Sequence, residues 1–167
     1  ALVVSDTLSN LNTSRTSGTA VAAATSIVIT DTDLDVGDVT AVNALRALKA
    51  TTYTVSDAYS DLATAIAATG SGGANETGVV TTFLNNAGTV KVDDNADGTL
   101  DTITVAQYNT LDAATTSAIR SKITDTIANL TASSGAAALS NVIANSDTLT
   151  ISDTNATVAQ IQTLNTA

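Results

Sequence analysis

Short runs of alternating apolar and polar residues recur along this chain, and each run ends in an aspartate. Alternation rich in β-branched residues is typical of a β-strand that buries one face. The residues two and four positions before each aspartate are expected to point into the core, and the residue between them outward. The runs start near residues 2, 27, 53, 90, 121 and 149, and they are Leu2–Asp6, Ile27–Asp31, Tyr53–Asp57, Val90–Asp94, Ser121–Asp125 and Leu149–Asp153.

A helical pattern follows each run, and it takes two forms that alternate. After the first, third and fifth aspartates, the pattern closes on a leucine, namely Leu11, Leu62 or Leu130. After the other three comes Val-x-x-[Val/Tyr/Ile]-[Asn/Gln]-[Ala/Thr]-Leu, whose apolar residues share one helical face. We call the two kinds of unit A and B; their strict alternation predicts three A-B pairs in which the closing leucines are buried and equivalent. The B phrase occupies Val39–Leu45, Val105–Leu111 and Val158–Leu164.

A strand followed by a helix that recurs every 25 to 37 residues predicts a stacked architecture. Successive aspartates lie 25 residues apart at the shortest, from Asp6 to Asp31, and 37 at the longest, from Asp57 to Asp94. The longest spacing contains a Gly-rich insert at Ala68–Glu76. Strand-helix-strand connections favour right-handed crossovers and a parallel sheet. We therefore predict an α/β fold, a short right-handed strand-helix solenoid of six coils with a parallel sheet, as one domain over residues 1–167. The alternative is a single α/β sandwich of mixed strand order.

Composition narrows the possible functions. Aromatic residues make up 2% of the chain, so the core must be aliphatic and thin, which suits a stack in which each unit packs only on its neighbours. His and Cys are absent, which removes the usual zinc ligands and most nucleophile–base pairs. A formal net charge of −10 disfavours nucleic acid and anionic membranes as partners. The sequence therefore predicts a protein that is not an enzyme.

One segment has the pattern of a calcium-binding loop. Gly98 stands where such a loop turns sharply, and Thr104 replaces the usual bidentate glutamate, which predicts weak, extracellular-type affinity. The alternative is a solvated turn. The predicted ligands are Asp93, Asn95, Asp97, Thr99 (through its carbonyl) and Asp101. A weaker candidate, in which the glycine is displaced by one position, consists of Asp31, Asp33, Asp35 and Asp38.

The aspartates that end the runs are expected to be helix caps. Stacked strands would place them about 4.8 Å apart along one edge of the sheet. Like charges at that distance repel by roughly 1 kcal/mol per neighbour even in water. A carboxylate that accepts hydrogen bonds from the first turn of the following helix gains a comparable amount. We therefore expect each aspartate to cap the segment that follows it.

Several phrases carry a family resemblance. Val-Ser-Asp-Thr-Leu-Ser-Asn-Leu (4–11), Ile-Thr-Asp-Thr-Ile-Ala-Asn-Leu (123–130) and Ile-Thr-Val-Ala-Gln-Tyr-Asn-Thr-Leu-Asp-Ala-Ala-Thr-Thr (103–116) resemble repeats of very large secreted or cell-surface bacterial proteins, many of them cyanobacterial. Those proteins are described as adhesin-like or hemolysin-type calcium-binding. The resemblance implies an extracellular structural array, with no activity assigned to the repeat. The chain departs from it at Ala58, which replaces a threonine, and at the insert around Gly70–Glu76.

The leading function is a structural repeat module of a surface fibre, surface layer or adhesin, serving as spacer and assembly surface. The chain does not begin with Met, and its ends match the phase of the repeat, so we expect a segment of a longer array. Terminal units of such arrays normally carry polar caps, yet Leu2–Val4 and the apolar face of Val158, Ile161 and Leu164 lack them. The expected partners are therefore neighbouring copies or adjacent repeats, in head-to-tail contact.

Two other functions remain as alternatives. A glycan- or ice-binding module would use outward threonines such as Thr54 and Thr150, although Lys91 and Lys122 interrupt that row. A polysaccharide-active enzyme would need a convergent cluster of catalytic residues, and the sequence offers no such cluster.

Overall fold

The computed structural model describes residues 1–18, 20–69, 78–95, 97–132, 142–144 and 146–165. Their fold is mixed α/β, and every strand pair among them is parallel. The strands are β1 (Val3–Asp6), β2 (Ser26–Ile29), β3 (Ala50–Thr52), β4 (Thr54–Asp57), β5 (Thr89–Val92), β6 (Thr102–Ile103), β7 (Ala118–Asp125) and β8 (Ser146–Ile151). The helices are α1 (Leu8–Ser17), α2 (Ala20–Ala23), α3 (Val39–Arg46), α4 (Tyr59–Ala67), α5 (Val79–Asn85), α6 (Val105–Asp112), α7 (Ile127–Ala132) and α8 (Val158–Asn165), with a 3₁₀ turn at Val36–Asp38.

The strands form two hydrogen-bonded sheets. β1, β2 and β3 make one sheet in chain order; the other has the order β4-β5-β7-β6, with β8 also paired to β7. Tyr53 alone separates β3 from β4, so residues 50–57 pair with β2 through their first half and with β5 through their second. β7 is shared in the same way, since residues 118–120 pair with β5 and residues 121–125 with β8. The prediction of a parallel α/β fold is confirmed, and the sheet is divided at Tyr53. The insert Gly70–Glu76 lies outside the described residues.

The pairing register advances by two residues from one aspartate to the next. Asp6 lies opposite Ile29, and the next aspartate of the repeat, Asp31, follows two residues later. Likewise, Asp57 lies opposite Val92 and Asp125 opposite Ile151. Two residues correspond to about 6.6 Å along a parallel strand. The repeat aspartates therefore do not face one another directly, which lowers the repulsion expected for a facing row.

This register corrects the prediction that all the repeat aspartates end a strand. Those of the A units do: they are the last residues of β1, β4 and β7. Those of the B units lie two residues beyond the ends of β2, β5 and β8. They are Asp31, Asp94 and Asp153.

A single apolar cluster joins the helices to both sheets. It extends from Leu8 to Val142 and includes a stacked pair of rings, Tyr53 on Phe83, whose centroids are 5.3 Å apart. The positions two residues before each aspartate belong to it as predicted: Ile29, Val55, Val92 and Ile123 are buried, and Val4 and Ile151 are partly buried against it. The prediction is wrong for Leu2, four residues before Asp6, which precedes β1 and is 51% exposed.

The closing leucines of the two phrases follow the predicted equivalence except at the last unit. Leu164 is partly exposed, because nothing in the described part of the chain packs beyond α8. The buried ones are Leu11, Leu62 and Leu130 of the A units and Leu45 and Leu111 of the B units.

Candidate functional site

A recurring contact joins each unit to the one before it. The first backbone amide of a helix donates a hydrogen bond to the Oδ2 atom of the aspartate of the following unit. We call this contact the interunit link. It occurs between Leu8 and Asp31 (2.6 Å), Val36 and Asp57 (3.0 Å), Val105 and Asp125 (3.0 Å), and Ile127 and Asp153 (2.6 Å).

The pairing register explains why these two groups meet in three of the four links, all except that between Val36 and Asp57. Asp6 lies opposite Ile29, so continued pairing places Leu8 opposite Asp31. At Leu8 the chain has already turned into α1, and the strand ladder has ended. The Asp31 carboxylate accepts the amide in place of a strand carbonyl. The first amides of a helix have no intrahelical acceptor and carry the positive end of the helix dipole, so a carboxylate satisfies both their hydrogen bond and their charge.

The second carboxylate oxygen of each A-unit aspartate binds within its own unit. Asp125 Oδ1 accepts from the Thr126 amide at 2.8 Å and from the Asn129 side chain at 2.6 Å. Asp6 Oδ1 makes the same two contacts, both at 2.8 Å, with the amide of Thr7 and the side chain of Asn10.

The predicted capping role therefore needs a correction. Thr7, one residue after Asp6, is the N-cap of α1, and its side chain accepts the Asn10 amide. In the same way α6 begins after Thr104, whose hydroxyl forms a capping box with Gln107. The A-unit aspartates bind the amide of the cap residue, and Asp57 and Asp125 also bind the first helix amide of the preceding unit. The carboxylates of Asp57 and Asp125 thus contact two units rather than one.

The asparagine four residues after the aspartate belongs to the A phrase, Asp-[Thr/Ala]-x-x-[Asn/Asp]-Leu, but the sequence alone indicated no role for it. Asn10 and Asn129 occupy this place in the first and third A units. The second A unit has Asp61 there, which cannot donate when ionised. The asparagine completes the hydrogen bonding of a carboxylate that burial alone would discourage from ionising.

The pKa values of two equivalent aspartates move in opposite directions for this reason. Burial opposes ionisation of Asp125, but hydrogen bonds from Asn129, Thr126 and Val105 outweigh it and hold its pKa below the ordinary carboxyl value. Burial raises the pKa of Asp57 in spite of hydrogen bonds from the Val36 and Ala58 amides, and nearby carboxylates, Asp61 among them, raise it further. The second A unit is therefore the less favourable setting for a carboxylate.

Restoring the A-unit pattern at Asp61 should stabilise the protein. Asp61→Asn supplies the missing donor to Asp57 and removes a like charge, so we expect a gain of about 1 kcal/mol at pH 7, the usual size for one hydrogen bond. A raised folded pKa means that Asp57 contributes most below its unfolded pKa and loses that contribution as pH rises through the folded value. The gain should therefore shrink towards pH 3, as urea denaturation at pH 7 and pH 3 can measure. Ser60→Asn, on the neighbouring exposed position, is the control and should change little.

The link is missing where the second A unit meets the next B unit. The register places Tyr59 opposite Asp94, yet within the described part of the chain no hydrogen bond joins them. The Asp94 amide instead donates to Asp101 Oδ2 at 2.9 Å. The loop predicted to bind calcium begins at this point, and its backbone draws Asp94 away from the interunit position.

The candidate calcium loop holds one carboxylate with an unsatisfied oxygen. Asp93 is 2% exposed; its Oδ2 accepts the Gly98 amide at 3.1 Å, and its buried Oδ1 has no hydrogen-bond partner among the residues described. Gly98 has φ +86°, a left-handed conformation that favours glycine. The side chains of Asn95 and Asp97 accept backbone amides two residues ahead of them. Among the described residues, however, no group of three or more acidic side chains is gathered closely enough to hold one metal ion.

The second acidic cluster serves local structure. Asp31 forms an interunit link, and Asp35 caps the 3₁₀ turn in a capping box with Asp38. Burial raises the pKa of Asp38, and the carboxylates of Asp35, Asp31 and Asp33 add to the rise. The four side chains border an open depression of about 450 Å³. Three of the four predicted ligands thus have structural hydrogen bonds without a metal.

The outer face of the second sheet carries cationic side chains. Lys91 lies opposite Arg120 in the pairing of β5 with β7, and Arg120 forms an ion pair with Asp147. Gly98 and Leu100 of the candidate calcium loop border the same shallow depression of about 340 Å³ as Lys91. This face is therefore neither flat nor uniformly threonine-lined, as a regular ice- or glycan-binding row would require.

The described residues contain no helix that is both long enough and apolar enough to cross a membrane. No family model, curated protein or solved structure matches the chain in the comparisons with known proteins.

Proposed function

We propose that this chain is a structural repeat module of an extracellular surface fibre, surface layer or adhesin, in which it acts as a spacer and an assembly surface without enzymatic activity. We further propose that its units are the six coils of a right-handed solenoid, in three A-B pairs. The observation that carries the proposal is the interunit link, which repeats the same carboxylate-to-amide contact at four places along the chain.

Repetition of one contact favours a scaffold over a single binding pocket. In a stack of repeats, stability comes from each unit and from the interface with its neighbours, so the same interface chemistry is expected to recur. The interunit link has this property, since in three of its four occurrences the geometry follows from strand register and not from one unusual residue. The depressions beside the acidic cluster and on the outer sheet face are open and hold no convergent set of catalytic groups among the described residues.

Tandem fusions of the segment test the spacer role. If successive copies continue one stack, each added copy contributes six strand spacings of about 4.8 Å, or roughly 29 Å of length. Small-angle scattering of one, two and three fused copies should therefore show equal increments of about 29 Å in maximum dimension. A control fusion with a flexible Gly/Ser linker between copies should give larger increments that vary with linker length. The same behaviour from the direct fusion would contradict the proposal.

Calcium is a second element of the proposal, favoured by the unsatisfied Oδ1 of Asp93. The loop supplies oxygen donors of the kind that calcium prefers, from Asp93, Asn95, Asp97 and Asp101. Mutual repulsion and burial raise the pKa of Asp101: burial contributes most, followed by Asp94, Asp93 and Asp97. A divalent cation would relieve both the repulsion and the unpaired oxygen. Because three carboxylates are not gathered within the described part of the loop, binding requires the side chains of Asp97 and Asp101 to turn towards Asp93.

Calcium should raise the thermal stability of the protein through this loop. At ten times the dissociation constant, one site adds about 1.4 kcal/mol, which corresponds to roughly 3–6 °C in Tm for a domain of this size. We expect the shift in differential scanning fluorimetry with calcium against EGTA, and we expect Asp93→Asn to abolish it. Asp33→Asn is the matched control from the second acidic cluster and should keep it. A shift lost in Asp33→Asn and kept in Asp93→Asn would assign calcium to the second cluster instead.

A further inference from the structure

The first and last units carry the acceptor and the donor of an interunit link that is not formed among the described residues. At the first unit, Asp6 Oδ1 is bound by Thr7 and Asn10, whereas Asp6 Oδ2 has no partner in the described part of the chain. In the later A units the same oxygen accepts the first helix amide of the preceding unit. Hydrogen bonds from Asn10 and Thr7 lower the pKa of Asp6, so this end presents an anionic acceptor.

The last unit carries the matching donor. In both α8 and α6, a threonine and a glutamine form reciprocal hydrogen bonds at the start of the helix. The pair is Thr157 and Gln160 in α8 and Thr104 and Gln107 in α6. This arrangement leaves the first helix amide for another acceptor. In α6 that amide, of Val105, goes to Asp125. In α8 the equivalent amide, of Val158, has no acceptor among the described residues.

Comparison of α6 with α8 shows what covers a B unit. Val105 is 2% exposed and Tyr108 1%, because an A unit, β7 with α7, follows them. The equivalent residues of the last unit, Val158 and Ile161, are 73% and 50% exposed. By this comparison, the kind of unit that would cover Val158 and Ile161 is an A unit, and the surface that it would cover is apolar.

The first unit of the chain is such an A unit, and its own outer side is uncovered. β1 pairs with β2 alone among the described strands, so one edge of β1 is open for a parallel strand. Leu2 and Val3, at the start of this strand, are about half exposed, at 51% and 54%. One copy thus offers an open strand edge, apolar residues and an anionic acceptor, and the far end of another copy offers their complements.

We propose that a second copy of this chain docks head-to-tail, its β1 pairing beside β8 of the first copy and its Asp6 carboxylate accepting the Val158 amide. This inference rests on the proposed structural function and adds the chemistry of the contact to it. The interface is heterologous: each copy keeps one free end, so association continues into a linear assembly and does not stop at a dimer. Because each copy has a net charge of −10, assembly should strengthen as salt screens the repulsion between copies.

Two variants, each defective at one end, test the head-to-tail arrangement. Asp6→Asn keeps one oxygen that can accept from the Thr7 amide and replaces Oδ2 with an amide NH₂ group, which donates and cannot accept. Val158→Asp places a carboxylate at an exposed position, against the partner's Asp6, and should not disturb the fold. In sedimentation velocity across concentration at about 0.15 M salt, the unaltered chain should form a series of linear oligomers, and each variant alone should be at least tenfold weaker in self-association. An equimolar mixture of the two variants should form dimers and nothing larger, since it contains one intact interface per pair.

The control is Leu48→Asp, at an exposed apolar residue away from both ends, which should assemble as the unaltered chain does. Circular dichroism of every variant checks that the fold is retained. A strictly monomeric unaltered chain at all concentrations would overturn the proposal, and so would a dimer that does not grow further. If free copies stay monomeric while direct tandem fusions still lengthen by equal increments, the docking proposal fails and the spacer function stands.

Discussion

Truncation of Leu111 to alanine should lower the free energy of unfolding by about 2–5 kcal/mol, the range measured for large-to-small changes at buried leucines. Leu111 closes the B phrase in α6 and is fully buried in the apolar cluster. Apart from Tyr53, Phe83 and Tyr108, the core consists of aliphatic side chains, which have little bulk to collapse into a new cavity. Urea denaturation followed by circular dichroism measures the change.

Two leucines provide controls for the Leu111 variant. Leu164 is its equivalent in the last unit and is partly exposed, so Leu164→Ala should cost less, about 1–2 kcal/mol. Leu48 is more than half exposed, and Leu48→Ala should stay within about 0.5 kcal/mol. Equal losses at Leu111 and Leu164 would mean that α8 is covered in solution, which the docking of a second copy at high protein concentration would produce. The measurement is therefore made on dilute protein.

Most strands and helices could be predicted from the sequence because burial imposes their pattern of apolar residues, but β3, β6 and α2 lie outside the predicted runs. Period-two alternation marks residues that face a core from a strand, and the spacing of Val105, Tyr108 and Leu111 marks one face of a helix. Both patterns indicate which side chains are buried on folding. They are clear where each strand or helix buries only one face. The inward strand residues and the closing leucines were therefore predicted correctly, except at Leu2 and Leu164, which lie in the first and last units and are not covered by another described unit.

The interunit link could not be predicted because it depends on register between segments that are distant in the chain. A stagger of two residues moves Asp31 from a place opposite Asp6 to a place opposite Leu8, and nothing in the local sequence of either run specifies that stagger. The sequence indicated a cap and was correct about the chemistry, a carboxylate beside helix amides. The sequence predicted that each carboxylate binds only the helix that follows it, because the contact with the preceding helix depends on residues distant in the chain.

The candidate calcium loop shows another limit of sequence reasoning. Spacing of acidic residues and a glycine states which donors are available, but it does not state where each side chain points. Asp93 is buried, and one of its carboxylate oxygens has no hydrogen-bond partner among the described residues, which is the state expected of a metal ligand without its metal. Asp31 and Asp35 lie in a similarly acidic stretch of sequence, but their carboxylates accept backbone amides. The difference lies in which amides the surrounding backbone presents. Asp94 was predicted to belong to the row of strand-end aspartates. It makes no interunit link among the described residues, and its amide instead donates to Asp101 in the candidate calcium loop.

Asp125→Asn should cost about 2–4 kcal/mol at pH 7, the largest effect expected for a polar substitution in this chain. Asp125 is buried, and its carboxylate accepts from Val105, Thr126 and Asn129. An asparagine has one acceptor oxygen, so in either orientation its NH₂ group faces a backbone amide that has lost its partner. A buried donor without an acceptor costs about 1–3 kcal/mol, and loss of the charge at two helix starts adds to this.

The pH dependence and a matched variant separate the link from a general effect of removing an aspartate. Since the folded pKa of Asp125 is lowered, its contribution is complete above the unfolded pKa and disappears as pH falls through the folded value. The difference between Asp125→Asn and the unaltered chain should therefore be full at pH 7 and should decrease on acidification below about pH 4. Asp94→Asn, at the equivalent position that makes no interunit link within the described chain, should change stability by less than about 0.5 kcal/mol in EGTA. Similar losses for both variants, or a loss at Asp125 that persists unchanged to about pH 2, would show that the carboxylate-to-amide contact does not hold neighbouring units together.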